Sequence, residues 1–358
     1  MTTIATTEYV VAADVAPIVV DVVADVGNAR TVVLVRVDEH DAPIVVTMPS
    51  IRTLHGAFSY ELFAARGLPA DAWGRLGRDD HVIERDGAER FLGALAAEHI
   101  GAASSGRGSD ARYYDGTTLD FVLAGLAAAL PKAARITARL TTLLPIGLWP
   151  LAERVADALR GRHVYRYNGR EMQVTIASVA IKREAEAALG ALDGDTRGPI
   201  VIVDAGGRTV NVALFNDGQY RSGRTLELGV QAALDNLDKA LIGRGLRALT
   251  LAERGDLERA LCAGQPYGLI AAGATHPIEA LARTQLDVTA LALAQEIYAC
   301  VPLAQARRVV FVGGGAHSAL FGAALKGAIP QVELGGMKEL ANAYGALGAA
   351  QPKKGRRK

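Results

Sequence analysis

At 358 residues the chain has room for two domains of average size. Half of its residues are hydrophobic and 22% are charged, a balance that excludes wholesale disorder. A net charge of +1 gives no field that draws the whole molecule to nucleic acid or membrane, although residues 353–358 carry five of the positive charges. The two cysteines, Cys262 and Cys300, make neither a disulfide framework nor a C-x-x-C motif and suit a reducing, cytoplasmic setting. No Lys or Arg precedes Arg30, so a secretory signal is not expected. The purest apolar run, 121–130, is half the ~20 residues a membrane span needs, so no span is expected either.

Residues 1–16 are rich in Thr and Ala without a helical period and read as a loose arm. Apolar β-branched runs at 18–24, 31–37 and 43–48 are separated by the turns Asp25-Val26-Gly27-Asn28 and Asp38-Glu39-His40-Asp41. They predict a three-stranded antiparallel meander. Helical spacing covers 59–65 and 87–99. A Gly/Ser-rich loop, 101–118, precedes an apolar helix over 119–130 and a buried strand over 136–144 that ends in Pro145-Ile146-Gly147. A hairpin, 163–167 and 171–181, turns at Asn168-Gly169, and a helix is expected from about 183 to 192.

At Pro199 the opening pattern returns. A strand at 200–203, the turn Asp204-Ala205-Gly206-Gly207, a strand at 209–215, the tight turn Asp217-Gly218 and a strand at 219–226 follow in order. The two D-x-G turns lie 179 residues apart (204 − 25), which indicates two similar domains rather than a solenoid. Helices at 230–241, 250–262 and 276–300 then lead to a strand at 308–312, three glycines, and a helix to about 326. A short strand at 331–334 and a last helix at 337–349 complete the chain before its basic tail.

Four segments carry chemistry. In Asp25-Val26-Gly27-Asn28-Ala29-Arg30-Thr31, a glycine in a tight turn lets backbone N–H groups approach phosphate oxygens, and the Asp offers a carboxylate to a hydrated Mg²⁺. Asp204-Ala205-Gly206-Gly207-Arg208-Thr209 offers the same. Each is also an ordinary hairpin turn on composition alone. Val312-Gly313-Gly314-Gly315-Ala316-His317-Ser318 is a strand–glycine–helix junction that admits a nucleotide against the backbone; it fails G-x-G-x-x-G because Ser318 stands at the last glycine. Glu184, in Arg183-Glu184-Ala185-Glu186, stands where a carboxylate at a helix start either orients a water toward a terminal phosphate or simply complements the dipole. There is no G-x-x-x-x-G-K-[ST] loop, no G-x-S-x-G elbow and no paired histidine spacing for a metal.

These segments, in this order, resemble the actin/sugar-kinase/heat-shock-chaperone ATPase superfamily, most of all its bacterial and archaeal actin-like members of the ParM type. Residues 25–31 match the first phosphate segment, 204–209 the second, and 312–318 the adenosine segment. Residues 181–189 match the first connecting helix, with Glu184 in the place of the Gln or Glu that positions the attacking water and Glu186 in reserve. Asn342-Ala343-Tyr344-Gly345 is similar to the second connecting helix, and 141–149 (TTLLPIGLW) to a stretch of plasmid-partitioning actins. Residues 229–262 are similar to the helices that flank the adenine, which adds Gly229, Glu258 and Arg259 as candidates. Where many actins carry a phosphate-binding Lys after the first loop, this chain has Arg30, Thr31 and Val32, leaving Arg30 or Arg208 to compensate.

The resemblance implies an α/β actin-like ATPase fold of two duplicated RNase H-like domains with an interdomain nucleotide cleft. An arm, 1–16, would precede domain I, 17–182 plus 335–350; domain II would span 183–334, and a basic tail 351–358. Glu184, Asp204 and Asp25 would be catalytic, and the two aspartates would hold Mg²⁺ largely through water. Gly27, Asn28, Ala29, Arg30, Gly206, Gly207, Arg208 and Thr209 would cradle phosphates, and Gly313, Gly314, Gly315 and Ala316 would face the ribose and α-phosphate. The expected substrate is ATP, with GTP as the alternative. Its binding would drive head-to-tail polymerisation and its hydrolysis would loosen the filament, in plasmid or DNA segregation through a DNA-binding adaptor. The basic tail would touch DNA or polymer, or be a solvated end. Two rivals share the fold: a small-molecule kinase using Asp204, and a non-hydrolysing ATP-binding cytoskeletal or cell-division scaffold.

Overall fold

A computed structural model describes residues 16–53, 59–69, 71–98, 103–105, 110–316, 318 and 321–348. The expected arm, but for its last residue, the basic tail, and parts of the 101–118 loop lie outside the described residues. The chain divides into two compact units, 1–143 with 150–182, and 144–149 with 183–358.

In the first unit, β1 (Ile18–Val26), β2 (Arg30–Arg36) and β3 (Ile44–Pro49) form the expected antiparallel meander. The register sets Asp25 opposite Val32 and Val26 opposite Thr31. β4 (Ile51–Thr53) and α1 (Ser59–Ala65) follow. Where spacing predicted one helix over 87–99, the chain instead makes a hairpin, β5 (His81–Arg85) and β6 (Ala88–Leu92), and only then a short helix, α2 (Ala94–Glu98). The cause is Asp86-Gly87, whose φ angles of 56° and 73° give the two-residue turn that closes a tight hairpin. β7 (Ala103–Ser105), α3 (Thr117–Ala129), β8 (Arg135–Leu144), α4 (Ala152–Leu159), β9 (Gly161–Tyr167) and β10 (Arg170–Arg183) complete the unit. Its ten strands run β3-β2-β1-β8-β10-β9-β5-β6-β4-β7, with β1 parallel to β8.

The second unit opens with α5 (Glu186–Leu189) and repeats the meander as β11 (Pro199–Ala205), β12 (Val210–Asn216) and β13 (Gln219–Leu226). α6 (Val230–Gly243) and α7 (Leu251–Cys262) follow, the latter started by a capping box between Thr250 and Glu253. A small hairpin, β14 (Gly268–Ala271) and β15 (Ala274–Pro277), takes the first residues expected of the next helix, so α8 runs from Glu279 to Cys300. β16 (Arg308–Val312), α9 (Phe321–Ala328), β17 (Val332–Leu334) and α10 (Ala341–Leu347) end the described chain. The sheet order is β13-β12-β11-β16-β17, with β11 parallel to β16. Meander order and the parallel neighbour of its first strand are therefore the same in both units. A core of Val201, Val203, Val212, Leu237, Leu293, Ile297 and Phe311 binds this sheet to the α6 and α8 side.

Residues 335–348, expected with the first domain, group with the second unit. The reason is a close approach of α10 to α5: a Cβ at Gly345 would sit 1.9 Å from the Ala187 carbonyl oxygen, and one at Gly190 2.8 Å from the carbonyl oxygen of Gly345. Among the described residues no helix is long and apolar enough to cross a membrane.

α3 is buried almost throughout and packs on the first sheet, where a Cβ at Gly125 would lie 2.5 Å from a Val33 methyl. Helix propensity favours Gly125→Ala by about 1 kcal/mol, but overpacking at such a distance costs about 1–3 kcal/mol. We expect Gly125→Ala to lower stability in urea denaturation, and Val33→Ala added to it to recover part of the loss.

Candidate functional site

The first D-x-G turn is closed by a contact that only glycine permits. A Cβ at Gly27 would lie 2.8 Å from the Arg30 carbonyl oxygen. The Ser50 amide, just past β3, donates to the Ala29 carbonyl at 3.1 Å, and the buried Thr31 hydroxyl lies 2.9 Å from that of Ser50. The turn is thus held by the strand that returns beside it. Asp25 is half-buried at its base, with Asn28 half-buried and Ala29 and Arg30 exposed.

The second turn repeats this residue for residue. A Cβ at Gly206 would lie 2.9 Å from the Thr209 carbonyl oxygen, and the Gly229 amide, just past β13, donates to the Arg208 carbonyl at 2.9 Å. Gly27 and Gly206, Arg30 and Thr209, Ala29 and Arg208, and Ser50 and Gly229 all share the offset of Asp25 and Asp204. The glycine segment lies on this turn: the Gly315 amide donates to the Ala205 carbonyl at 2.8 Å. Gly313, at φ 88°, stands where a Cβ would meet an Asp204 carboxylate oxygen at 2.4 Å.

Two of the carboxyl groups buried in this unit are those of Glu184, at 7%, and Asp204, at 6% exposure. Each is held by an asparagine. The Asn342 side-chain amide donates to Asp204 Oδ2 at 2.7 Å while its carbonyl oxygen accepts from the Ala185 backbone at 3.0 Å. Asn211 donates to Glu184 Oε2 at 2.5 Å, and its carbonyl oxygen accepts from the Ile146 backbone at 3.0 Å and the Thr225 hydroxyl at 2.7 Å. Burial raises the Asp204 carboxyl to about 6, against the opposing Asn342 hydrogen bond.

The helix expected over 183–192 is four residues long, because β10 continues to Arg183 and the chain then turns sharply. Ala185 has φ 62° and ψ −40°, and the Glu186 amide donates to the Glu184 carbonyl at 2.8 Å, which makes a strained γ-turn directly after Glu184. Arg183 lies 3.8 Å from the Trp149 ring centre and pairs with Glu186 at 2.9 Å. Glu184 is therefore the acid directed inward, and Glu186 is occupied at the rim.

The first unit gathers Asp25, Gly27, Asn28, Ala29 and Arg30. The second gathers Glu184, Asp204, Gly206, Gly207, Arg208, Thr209, Gly229, Gly313, Gly314, Gly315 and Ala316. Arg208 is turned to Glu227 at 3.2 Å. Arg259 is exposed and pairs with Asp256 on its own helix, and the Glu258 side chain lies outside the described residues. Between α6, α7 and α8 is an apolar cavity of about 20 Å³, lined by Val230, Leu257, Leu261 and Leu286, which has the size of a water and not of a base. Asn211, Asn342 and Thr225 were not among the expected site residues.

The donor set fits a hydrated Mg²⁺. Among the described residues no three His, Cys, Asp or Glu side chains converge on a metal position, but Mg²⁺ keeps several waters and takes one or two protein carboxylates. A cation beside Asp204 would favour the ionised form that burial opposes.

No family model and no curated protein matches the sequence. Solved structures do. An archaeal actin homologue superposes with a TM-score of 0.70 over 92% of this chain and 98% of its own, at 18% identity. A non-polymerisable quadruple mutant of pCBH ParM gives 0.69 over 92% and 98%, at 16% identity. Bacillus thuringiensis ParM with AMPPNP gives 0.63 over 92% and 98%, at 14% identity. The chain has the prokaryotic actin-like fold. Each compact unit of this fold carries one of the two meanders and, with it, one of the two D-x-G turns.

Because the folded-state pKa of Asp204 lies above its ordinary 3.8, the native chain binds this proton more tightly than the unfolded chain. The group therefore costs stability as pH rises from about 4 to about 6, some 3 kcal/mol in all at about 1.4 kcal/mol per pKa unit. We expect Asp204→Asn to match the unsubstituted chain at pH 4 and to exceed it in stability at pH 7 in the absence of divalent cations. Equal urea midpoints at pH 7 would show that the burial cost lies elsewhere.

Proposed function

We propose that this chain is an ATPase whose nucleotide state governs assembly into a head-to-tail filament. The observation that carries this reading is the pair of glycine-closed acidic turns, equal in backbone contact and in offset, with two buried carboxyl groups beside the second. Close backbone turns of this kind offer N–H groups to phosphate oxygens. Glu184 is proposed to orient the attacking water, and Asp25 and Asp204 to hold Mg²⁺ through its water shell, where the ion would supply charge neutralisation of the phosphates. Gly27, Asn28, Ala29, Arg30, Gly206, Gly207, Arg208 and Thr209 are the proposed phosphate cradle. Gly229 and 313–316 line the nucleoside side, with Glu258 and Arg259 as its outer members.

The solved relatives of this fold support the reading. Bacillus thuringiensis ParM has been crystallised with ATP, ADP and AMPPNP, and a ParM mutant is described as non-polymerisable. Because phosphoryl transfer is catalysed mainly by positioning and charge, rigid turns and fixed carboxylates are the equipment it needs. A DNA-segregation role in the cytoplasm, through a DNA-binding adaptor and with GTP as a second substrate, completes the proposal. A second reading, transfer to a small acceptor with Asp204 as base, draws on the rise of that carboxyl toward neutrality.

The test is right-angle light scattering and phosphate release with Mg²⁺ and ATP, ADP or GTP, followed by negative-stain microscopy. Scattering should rise with ATP and fall as phosphate appears. Glu184→Gln should slow release by about 100-fold or more, the scale of a lost general base, while ATP affinity stays within about threefold. Unchanged release would favour a scaffold that binds ATP without using Glu184, and release only on adding an acceptor would favour the kinase.

A further inference from the structure

Arg112 lies in a short 3₁₀ turn, Asp110–Tyr113, ahead of α3, and is only 4% exposed. Its Nη1 donates to the Gly27 carbonyl at 3.0 Å, and its Nη2 to the Tyr113 hydroxyl at 2.5 Å. The guanidinium carbon lies 4.5 Å from the Tyr113 ring centre. Among the described residues no carboxylate pairs with it, although buried charges ordinarily have an ionic partner. The two groups that accept from this buried guanidinium, a carbonyl oxygen and a phenol, are both neutral, and the first belongs to the D-x-G turn itself.

The second turn is supported differently. There the carbonyl oxygens of Ala205, Gly207 and Arg208 accept from the backbone amides of Gly315, Gln231 and Gly229, at 2.8, 2.7 and 2.9 Å. In the first turn the Ser50 amide takes the Ala29 carbonyl, as Gly229 takes that of Arg208, and the Gly27 carbonyl accepts from the charged side chain of Arg112. The two arginines expected to compensate for the missing Lys do not explain this charge: Arg208 is turned to Glu227, and Arg30 is exposed.

We propose that Arg112 is a positioning residue for polyphosphate: it masks the Gly27 carbonyl, fixes the first turn, and has its charge balanced by the phosphates of a bound nucleoside triphosphate. This inference rests on the nucleotide-binding reading above. It assigns the selectivity for the number of phosphates to a residue outside every segment that resembles the actin-like motifs.

Calorimetric affinities for ATP, ADP and AMP, with Mg²⁺, of the full chain and of Arg112→Gln and Arg112→Lys test it. Gln keeps an N–H donor for Gly27 and loses the charge, so ATP affinity should fall at least about tenfold and AMP affinity less than about threefold, the difference a charge-assisted contact makes. Lys keeps the charge and should hold ATP within about threefold on the same scale. Equal losses for ATP and AMP, or no loss at all, would overturn the role of Arg112 and leave the ATPase reading intact. An unsubstituted chain that binds no nucleotide would overturn both. Should Arg112→Gln not fold, Tyr113→Phe removes only the hydroxyl that holds Nη2. It should weaken ATP about two- to fivefold without affecting AMP, the size of one lost hydrogen bond, and the absence of that difference overturns the inference.

Discussion

In both D-x-G turns the backbone comes so close to itself that no side chain fits between. The carbonyl oxygens of Arg30 and Thr209 lie 2.8 and 2.9 Å from where a Cβ of Gly27 and Gly206 would be. Each approach folds the chain back within four residues, so the acidic residue two positions earlier stands at the mouth of the turn on the last part of a central strand. The third strand of each meander then ties the turn down through Ser50 or Gly229. A substitution that opened either contact would move the aspartate and the turn amides together. Position is what these turns supply, and it comes from sterics before any charge is considered.

Charge enters with Glu184 and Asp204. Burying carboxylates costs several kcal/mol each after relaxation, and a neutral amide donor returns about 1 kcal/mol, so the hydrogen bonds from Asn211 and Asn342 orient these groups and offset only part of that cost. The rise of the Asp204 carboxyl to about 6 is the visible part of that deficit. The γ-turn at Ala185 adds strain of about 1–3 kcal/mol. It is held by the Asn342 side chain, which accepts from the Ala185 amide and donates to Asp204. The strained turn, the buried Asp204 carboxyl and the Asn342 clamp are one connected structure.

How much of this was legible in the sequence depended on how local each cause is. Both meanders were legible because β-branched runs and D-x-G turns are written in consecutive residues. The hairpin over 81–92 was passed over because Asp86-Gly87 sits among residues with helical spacing, and two positive φ angles outweighed that spacing. At 183–192 the run E-A-E-A-A-L favours a helix, yet Arg183 is drawn to Trp149 and Tyr220, contacts no local rule foresees. The clamps were harder still: Asn211 lies 27 residues from Glu184, and Asn342 lies 138 from Asp204. Asn342 belonged to a recognised segment without a role, while Asn211 looked like one polar residue in a buried strand. A pattern shows where the backbone must bend; it does not show which distant amide will meet a buried acid.

The duplication also explains why the two turns are not interchangeable. Their glycine closures and the amide that follows the third strand agree, but their surroundings differ in charge. The second turn has two buried acids beside it and neutral amides behind it. The first has a buried guanidinium behind it and one half-buried aspartate before it. Coulombic interaction is strongest where water is excluded, so the charge of buried Arg112 is screened less at the turn than a charge on the exposed surface.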